Sequence, residues 1–316
     1  MSNRAPESDL WDALRGALVT RALAIVSDLG IAQRLADGPR PVAELAHETG
    51  ADPDTLHRLL RALASDGIFA EEKPGVFRNT DVSDQLLDDG WTALVHFFGG
   101  VWHQAAGLLD ASGKAAWPEL HDTDFWSWLA THPEERALFD TSMEQGKSQR
   151  AERFDRVDWR DGETVVDVGG GNGSLLTALL ERQPGLRGIV FDLPETVRDE
   201  TTFGNRIRFA EGSFFESVPE GDVYLLSTIL HDWDDESAAA ILRTIRAGAP
   251  PHARLVLFEA VVPEGNEPGG GKWLDLLMLA LFAGRERNEA QWRELLEANG
   301  FEPTSIEHEL IQARCR

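Results

Sequence analysis

The stretch TVVDVGGGNGSLL, residues 164–176, decides the fold. Its opening TVVDV is an apolar run of the length of a short buried strand, and the helical pattern SLLTALLERQPG follows the glycines. Glycines allow a tight turn and a close approach of a ligand to the backbone, and a helix N-terminus favours a negative group. The stretch therefore predicts a strand, a ligand-binding loop and a helix.

The same alternation continues on the C-terminal side of this stretch. Further apolar runs are GIVFDLP, RIRFAEG, DVYLLST and ARLVLFEA, and helical patterns separate them. Such alternation predicts an α/β fold with a doubly wound parallel sheet covered by helices on both faces. The final segment, residues 300–316, predicts two more short strands, one of them antiparallel at the sheet edge.

The N-terminal part has a different pattern. Residues 41–80 read as helix, turn, helix and hairpin, the order of a winged helix. A DNA-binding domain of this kind places basic side chains on its second helix. Here acidic residues surround that helix, and residues 1–150 contain 13 Lys and Arg against 24 Asp and Glu. The charge favours a helical scaffold or dimerisation module over a DNA-binding one.

Composition narrows the partners and the compartment. The 316 residues are 42% hydrophobic and 27% charged, which is typical of a soluble globular protein with two domains or one large one. The net charge of −24 disfavours nucleic acid and anionic membranes. One cysteine, Cys315, no signal-peptide pattern and no apolar run long enough to span a bilayer predict a cytoplasmic protein without disulfides.

The glycine spacing indicates which nucleotide the loop binds. Gly169, Gly171 and Gly173 give GxGxG, whereas the dinucleotide fingerprint GxGxxG needs a small residue where Ser174 stands. Asp167 beside the glycines would repel a pyrophosphate but suits a ligand with an ammonium and a sulfonium. Asp192 ends the next apolar run, where an acid can bond ribose hydroxyls. These features favour S-adenosylmethionine.

The motifs VVDVGGGNGSLL, FDLPETV, GSFFESVP, LLSTILHDWDDE and LVLFEAVVP occur in this order and spacing. From about residue 10 to its end, the chain resembles the small-molecule O-methyltransferases of the caffeic-acid and acetylserotonin type and their bacterial antibiotic-tailoring relatives. The resemblance implies a Rossmann-like catalytic domain at residues 158–316. It also implies an all-helical winged-helix dimerisation domain at residues 1–100, a helical linker contributing to the substrate pocket at residues 101–157, and a homodimer.

The resemblance also assigns the cofactor pocket. It implies that Gly169 and Gly171 hold the methionine part, that Asp192 holds the ribose and that Ser213, Phe214 and Trp233 surround the adenine. Two positions depart from the family pattern. Relatives commonly have an acid where Ser213 stands, and plant members have a lysine where Ser227 stands, so contacts to the adenine and to the methionine carboxylate are expected to differ.

His231 is the candidate general base. It follows the fourth strand, at the sheet edge where parallel sheets bind ligands. A phenol, with a pKa near 10, needs to lose its proton to become a good nucleophile, and histidine suits that task. The resemblance implies that Glu259 and Glu289 flank this base, although Glu289 could instead lie on an exposed helix start, because ERNEAQW also looks like an ordinary N-terminal turn. His231 could instead cap the next helix, and Asp232 could either support the site or serve as a helix-start acid.

Substrate contacts are expected from an aromatic cluster and from the last helices. The pocket candidates from the cluster at residues 91–128 are Trp102, His103, Phe125 and Trp126, although ordinary core packing is an alternative for each. Met143 and Met278 match substrate-pocket positions of the family, and Phe282 makes the pocket more apolar than in plant members. No His or carboxylate cluster has metal-ligand spacing, and the acidic HDWDDE is a weak magnesium candidate.

The sequence is compatible with three functions. The favoured one is methyl transfer from S-adenosylmethionine to a hydroxyl of an aromatic small molecule, such as a secondary metabolite. A relative that keeps the cofactor but performs hydroxylation, decarboxylation or cyclisation is the second, and a ligand-sensing winged-helix regulator is the third. His231, Glu259 and Glu289 favour the first, and the acidic second helix speaks against the third.

Overall fold

The computed structural model describes residues 5–143, 152–194, 196 and 204–316. The helices along the described chain are α1 (Pro6–Asp28), α2 (Ile31–Arg34), α3 (Val42–Thr49), α4 (Pro53–Ser65), α5 (Asp89–Gly99), α6 (Val101–Gly107), α7 (Trp117–His121), α8 (Phe125–Thr131), α9 (Pro133–Met143), α10 (Ser174–Arg182), α11 (Asp235–Gly248), α12 (Gly271–Phe282) and α13 (Glu289–Ala298). Short 3₁₀ helices occupy Ser83–Leu87, Phe154–Arg156, Gly204–Arg206 and Leu230–Asp232. The strands are β1 (Arg40–Pro41), β2 (Phe69–Lys73), β3 (Val76–Asn79), β4 (Thr164–Val168), β5 (Arg187–Asp192), β6 (Ile207–Glu211), β7 (Val223–Ser227), β8 (Arg254–Phe258), β9 (Phe301–Glu307) and β10 (Leu310–Cys315).

The chain forms two compact units. The first contains the described residues 5–107 and 133–143, and the second contains the described residues 108–132, 152–194, 196 and 204–316. The predicted linker, residues 101–157, is therefore divided between the units: α6 and α9 belong to the first, and α7 and α8 to the second. None of the described helices is both long and apolar enough to cross a membrane.

The first unit contains the winged-helix elements in the predicted order. Helices α3 and α4 are followed by the hairpin β2–β3, and the Asp52 side chain caps α4 by accepting from the Thr55 amide at 2.8 Å. Leu45, Leu60 and Phe77 are fully buried between these elements. Strand β1 adds to the hairpin in the antiparallel order β1-β3-β2, so the expectation of an all-helical domain is wrong.

Helix α1 of this unit carries an exposed apolar face. Leu10, Leu14 and Leu18 follow each other at four-residue spacing, with Trp11 beside them, and each side chain is 63–73% exposed. Residues four apart lie on the same side of a helix. Contiguous exposed apolar side chains of this kind are typical of a surface that another molecule covers.

The second unit contains a seven-stranded sheet with the order β6-β5-β4-β7-β8-β10-β9. The first five strands in this order, β6-β5-β4-β7-β8, are parallel to their neighbours. Strand β10 pairs antiparallel with both β8 and β9. The order runs outward from β4 in both directions, which is the doubly wound arrangement. The predicted α/β fold class, with its antiparallel edge, is confirmed.

Helices cover both faces of this sheet. Val166 and Val168 of β4 pack in a buried cluster with Ile241 of α11 and Trp292 of α13. Val165, the neighbour pointing to the opposite face, belongs to a second buried cluster with residues of α10. Because both faces are filled by side chains, the carboxyl ends of the parallel strands are where the sheet can receive a ligand.

Candidate active site

The glycine loop lies at the carboxyl end of β4. Gly169, Gly171 and Gly173 have φ of 72°, 57° and 76°, a region that side chains other than glycine rarely adopt. The Gly171 amide donates to Asp192 Oδ2 at 2.8 Å, which joins the loop to the end of β5. Among the described residues other than its two chain neighbours, no atom lies within 4 Å of the position that a Cβ atom would take at Gly171. The loop thus has an open side, bordered by Asp192, on which a ligand can lie.

Asp167 is a buried acid beneath this loop. The residue is 1% exposed, and its Oδ2 atom makes no hydrogen bond within the described residues. Burial, followed by the charge of Asp192, raises the pKa of Asp167 to about 7. A Cβ atom at Gly170 would lie 2.8 Å from Oδ2, so the carboxyl packs directly against the loop. A cationic ligand nearby would favour the charged form of this acid.

Aromatic rings gather beyond the ends of β6 and β7. The rings of Phe215 and Trp233 meet edge to face at 4.8 Å, and those of Phe214 and Trp233 at 6.0 Å. Ser213 Oγ accepts from the Phe215 amide at 3.3 Å, and Ser227 is the last residue of β7. The predicted adenine residues Phe214 and Trp233 are therefore close together. Phe215, the second residue of the FF pair, was not predicted.

The turn after β7 carries His231, and Glu259 holds its backbone. Thr228 has a φ of 55°, which bends the chain away from the strand. The amides of Ile229 and Leu230 both donate to Glu259 Oε1 at 2.8 Å. Glu259 follows β8, is 1% exposed and has its pKa raised by burial. Its carboxylate thus fixes the main chain of the turn.

The His231 side chain contacts two buried acids. Its Nδ1 atom lies 2.7 Å from Glu286 Oε1, and its Nε2 atom lies 3.4 Å from Asp232 Oδ1. The side chains of His231 and Asp232 are 9% and 8% exposed, and that of Glu286 is fully buried. Asp232 is therefore part of this cluster, whereas Asp234 caps α11 by accepting from the Ser237 amide.

Two pKa values in this cluster are raised, that of His231 by the surrounding acids and that of Asp232 by burial. Burial alone would lower the pKa of His231, but the charge of Asp232, the hydrogen bond to Glu286 and the charge of Glu259 outweigh it and raise that pKa to about 10. Burial raises the pKa of Asp232 to about 7, with the opposing charge of His231 as the next largest influence. Water is largely excluded, so these charges interact strongly with one another.

Glu289 does not flank His231, and that prediction is wrong. Its side chain is 61% exposed and pairs with Arg293 at 3.0 Å on the first turn of α13. Asn288 caps this helix in a capping box with Gln291. The alternative, that ERNEAQW is an ordinary helix start with Glu289 exposed on it, is the one that the structure shows. Glu286, three positions earlier, is the acid that reaches the imidazole.

Glu286 belongs to a strap that packs on the His231 turn. We define the strap as residues 284–287, between α12 and α13. The Arg285 amide donates to the His231 carbonyl at 2.9 Å, and the Glu286 amide donates to Asp275 Oδ1 at 2.7 Å. A Cβ atom at Gly284 would lie 2.3 Å from the His231 carbonyl oxygen, so only glycine permits this approach.

Three predicted substrate residues of the second unit contact one another. The Trp126 and Phe282 rings stack at 5.5 Å with 15° between their planes, and Phe125 meets Phe282 edge to face at 5.4 Å. Trp126 and Phe282 are half-buried, whereas Phe125 is fully buried. Phe282 ends α12, two residues before the strap, and Met278 is 5% exposed one turn earlier.

The other three substrate candidates lie in the first unit. Trp102 is 5% exposed and stacks on Phe97 at 5.1 Å, His103 is half-buried in α6, and Met143 is 38% exposed at the end of α9. Their substrate role stays a prediction. The described residues contain no group of three or more His, Cys, Asp or Glu side chains arranged to hold a metal ion.

Comparisons with known proteins connect these features to one family. The sequence model of the O-methyltransferase domain matches residues 102–302, and that of the O-methyltransferase dimerisation domain matches residues 11–89. A phenazine O-methyltransferase of Lysobacter antibioticus is 38% identical over 97% of this chain and 96% of its own. An O-demethylpuromycin-O-methyltransferase of Streptomyces alboniger is 37% identical over 92% of this chain and 82% of its own.

Solved structures give the same result. An O-methyltransferase from neocarzinostatin biosynthesis, crystallised with S-adenosylmethionine and 2-hydroxy-5-methyl naphthoic acid, has a TM-score of 0.83. It is 32% identical and covers 94% of this chain and 96% of its own. The fold and the family models agree along nearly the whole sequence. The chain belongs to the O-methyltransferase family, with a dimerisation domain before its catalytic domain.

Proposed function

We propose that this chain transfers the methyl group of S-adenosylmethionine to a hydroxyl of an aromatic small molecule in secondary metabolism. The observation that carries the proposal is the buried pair of His231 and Glu286, 2.7 Å apart, at the sheet edge that also holds the glycine loop. Relatives named for phenazine, hydroxybenzoate and naphthoate acceptors support an aromatic acceptor.

The residues at the sheet edge fit the cofactor. Gly171 leaves open space beside Asp192, which can bond ribose hydroxyls, and the rings of Phe214, Phe215 and Trp233 can enclose an adenine. Asp167 has a buried oxygen without a hydrogen bond among the described residues, suited to a nearby positive charge. The bound cofactor supplies an electrophilic methyl group on a sulfonium.

His231 acts as the general base in this proposal. Glu286 accepts from Nδ1–H and orients the ring, so Nε2 is the atom that takes the hydroxyl proton of the acceptor. An imidazole with a pKa near 6.5 would take a proton from a phenol with a pKa near 10 at a cost of about 5 kcal/mol. The surrounding carboxylates raise the pKa of His231 to about 10, which nearly balances this transfer.

With the cofactor bound, the acceptor oxygen would need to lie in line with the methyl carbon and the sulfur, so that the carbon–sulfur bond breaks and the thioether leaves as the carbon–oxygen bond forms. The protein's part is to hold the oxygen there. Phe282 lies two residues before the strap and stacks on Trp126, so the pair offers flat apolar surface at the end of α12. Low exposure of His231 and Asp232 keeps water away from the base. The geometry thus supports positioning, deprotonation and exclusion of water by this chain's own residues.

The decisive experiment uses S-adenosylmethionine with an isotopically labelled methyl group. We expect mass spectrometry to find a labelled ether among hydroxylated phenazines, naphthoates and benzoates incubated with the protein. A product that is hydroxylated, decarboxylated or cyclised and lacks the label would identify the non-methylating alternative. The mass of the product therefore distinguishes methyl transfer from hydroxylation, decarboxylation and cyclisation.

A homodimer is part of the proposal. The dimerisation-domain match at residues 11–89 covers α1 from its sixth residue onward, and a second copy can bury the exposed apolar face of this helix at Leu10, Trp11, Leu14 and Leu18. We also propose a cytoplasmic location, because a single cysteine suits a reducing compartment. The net charge of −24 argues against nucleic-acid partners.

The dimer prediction concerns two leucines of α1. Replacing Leu14 and Leu18 together by Glu should lower the mass in light scattering at micromolar concentration from twice 34.9 kDa to 34.9 kDa, because two charges would enter the buried interface. Val82→Glu, at a 57% exposed site outside α1, is the matched control and should stay dimeric. A wild type that is already monomeric would refute the dimer.

The cofactor prediction concerns Gly171. Gly171→Val should sharply weaken S-adenosylmethionine binding in calorimetric titration, because the branched side chain would fill the open side of the loop and its φ of 57° disfavours valine. Gly162→Val is the control, since Gly162 also has a positive φ and an empty surrounding but precedes β4 at the opposite edge. If both variants fold and bind S-adenosylmethionine as tightly as the wild type, the loop is not part of the cofactor site.

The base prediction concerns His231. His231→Ala should lower turnover by roughly 10² to 10⁴ while cofactor affinity barely changes. Turnover of the wild type should rise with pH toward 10, because the pKa of His231 is about 10 and its unprotonated form is the base. His231→Ala should lose this rise of turnover with pH. In the wild type, the rise should occur at the same pH for acceptors with different hydroxyl pKa values. Near-normal turnover of the variant on a protonated phenol would show that another group is the base.

Glu286 and Glu289 should differ in their effect on the pH dependence of turnover. Glu286→Gln should move the rising limb to lower pH, because Glu286 raises the pKa of His231 and a neutral amide removes that influence. The same exchange at Glu289 should leave the profile in place, since that side chain is 61% exposed on α13. A profile that shifts in the Glu289 variant and stays in the Glu286 variant would reverse the assignment.

A further inference from the structure

Arg287, the last residue of the strap, is a fully buried arginine next to the catalytic turn. Its Nη1 atom donates to the Leu230 carbonyl at 2.9 Å and its Nη2 atom donates to the Trp233 carbonyl at 2.9 Å. Its Nε atom donates to Asp235 Oδ1 at 3.0 Å, and the guanidinium lies 5.2 Å from the centre of the Trp292 ring. One side chain therefore contacts the turn, the start of α11 and α13.

The two carbonyls that Arg287 binds bracket the His-Asp pair. Leu230 immediately precedes His231, and Trp233 immediately follows Asp232. Two parallel donors on a rigid planar group can fix the distance between two acceptors, which a lysine ammonium cannot do with the same geometry. Arg287 thereby holds both ends of the segment that carries the base.

A purely structural role would not require a charge at this place. Burying a guanidinium carries a large desolvation cost, and apolar residues of similar size often serve the core as well or better. Arg287 is 0% exposed, and Asp235, its carboxylate partner, is 56% exposed and shared with Arg285. The feature that distinguishes arginine here is the pair of main-chain carbonyls.

We propose that Arg287 is a positioning residue for methyl transfer, which sets the orientation of the His231 ring against Glu286 by clamping the Leu230 and Trp233 carbonyls. The inference rests on the proposed function for its kinetic consequence. Its structural consequence, the His231–Glu286 contact, can be measured without any acceptor. Arg287 touches no reacting atom and acts through the turn.

The test compares Arg287→Lys with Arg254→Lys. Arg254 is also a largely buried arginine, bonded to both carboxylate oxygens of Glu163, and it begins β8 at the opposite edge of the sheet. We expect Arg287→Lys to lower kcat roughly 10- to 100-fold with a small change in the KM of the acceptor, because a displacement of the base near 1 Å costs rate of this order. Arg254→Lys should reduce thermal stability but retain wild-type kcat.

Nuclear magnetic resonance of ¹⁵N-histidine-labelled protein provides the second readout. The His231 signals, assigned by their loss in His231→Gln, should report a midpoint well above 6.5 in the wild type and in Arg287→Lys a midpoint closer to 6.5, because the ring leaves Glu286 while Asp232 and Glu259 remain nearby. Unchanged His231 signals in folded Arg287→Lys would overturn the inference, whatever the rate. If the wild type methylates no acceptor, the proposed function fails while this readout still decides the role of Arg287.

Asp235→Ala covers the case in which Arg287→Lys does not fold. Asp235 is 56% exposed, so water can take its place and the variant should fold with reduced stability, while Arg287 Nε loses its anchor. We expect a several-fold lower kcat and a His231 midpoint displaced in the same direction as in Arg287→Lys. Wild-type kcat together with wild-type His231 signals would overturn the inference.

Discussion

The site depends on keeping one imidazole buried among three acids. Asp232, Glu259 and Glu286 all have low exposure, and His231 sits between them with the same low exposure. Carboxylates removed from water are costly unless they are paired or hydrogen-bonded. One oxygen of Glu259 accepts from two amides of the turn, and one oxygen of Glu286 pairs with the imidazole. The turn and the strap that carry these partners are consequently held in one arrangement.

Much of the fold, and of the sheet edge that carries the glycine loop, was predictable because strand and turn patterns in the sequence determine it. Apolar runs ending at Gly169, Asp192 and Ser227 mark strands, and parallel strands bring their carboxyl ends to one edge. The sequence order around Gly50 likewise predicted the winged helix. What it missed in the first unit was β1, a two-residue strand whose pairing depends on tertiary contact with β3.

The acid–base cluster was predictable only in part, for a different reason. Glu286 and Glu289 are three residues apart in an acidic and basic run, and their fates are opposite: one is fully buried, the other 61% exposed. Glu289 is exposed because Asn288 caps α13 and places it on the first turn. Glu286 is buried because Gly284 lets the strap approach the His231 carbonyl closely. The role of Arg287 was not predictable either, since most of its acceptors are main-chain carbonyls, which residue types do not reveal.

The buried ionisable groups also make the stability of the fold depend on pH. His231 has a native pKa of about 10 against about 6.5 in the unfolded chain. Its contribution to stability is therefore complete below about 6.5 and disappears as pH rises through 10. Asp167 and Asp232 have native pKa values of about 7 against about 3.9 when unfolded, so they too bind more protons in the folded state. All three groups make folding less favourable as pH rises, while the fraction of His231 able to accept a proton grows. In alkaline solution His231 therefore becomes free to accept a proton under the same conditions that weaken the fold around it.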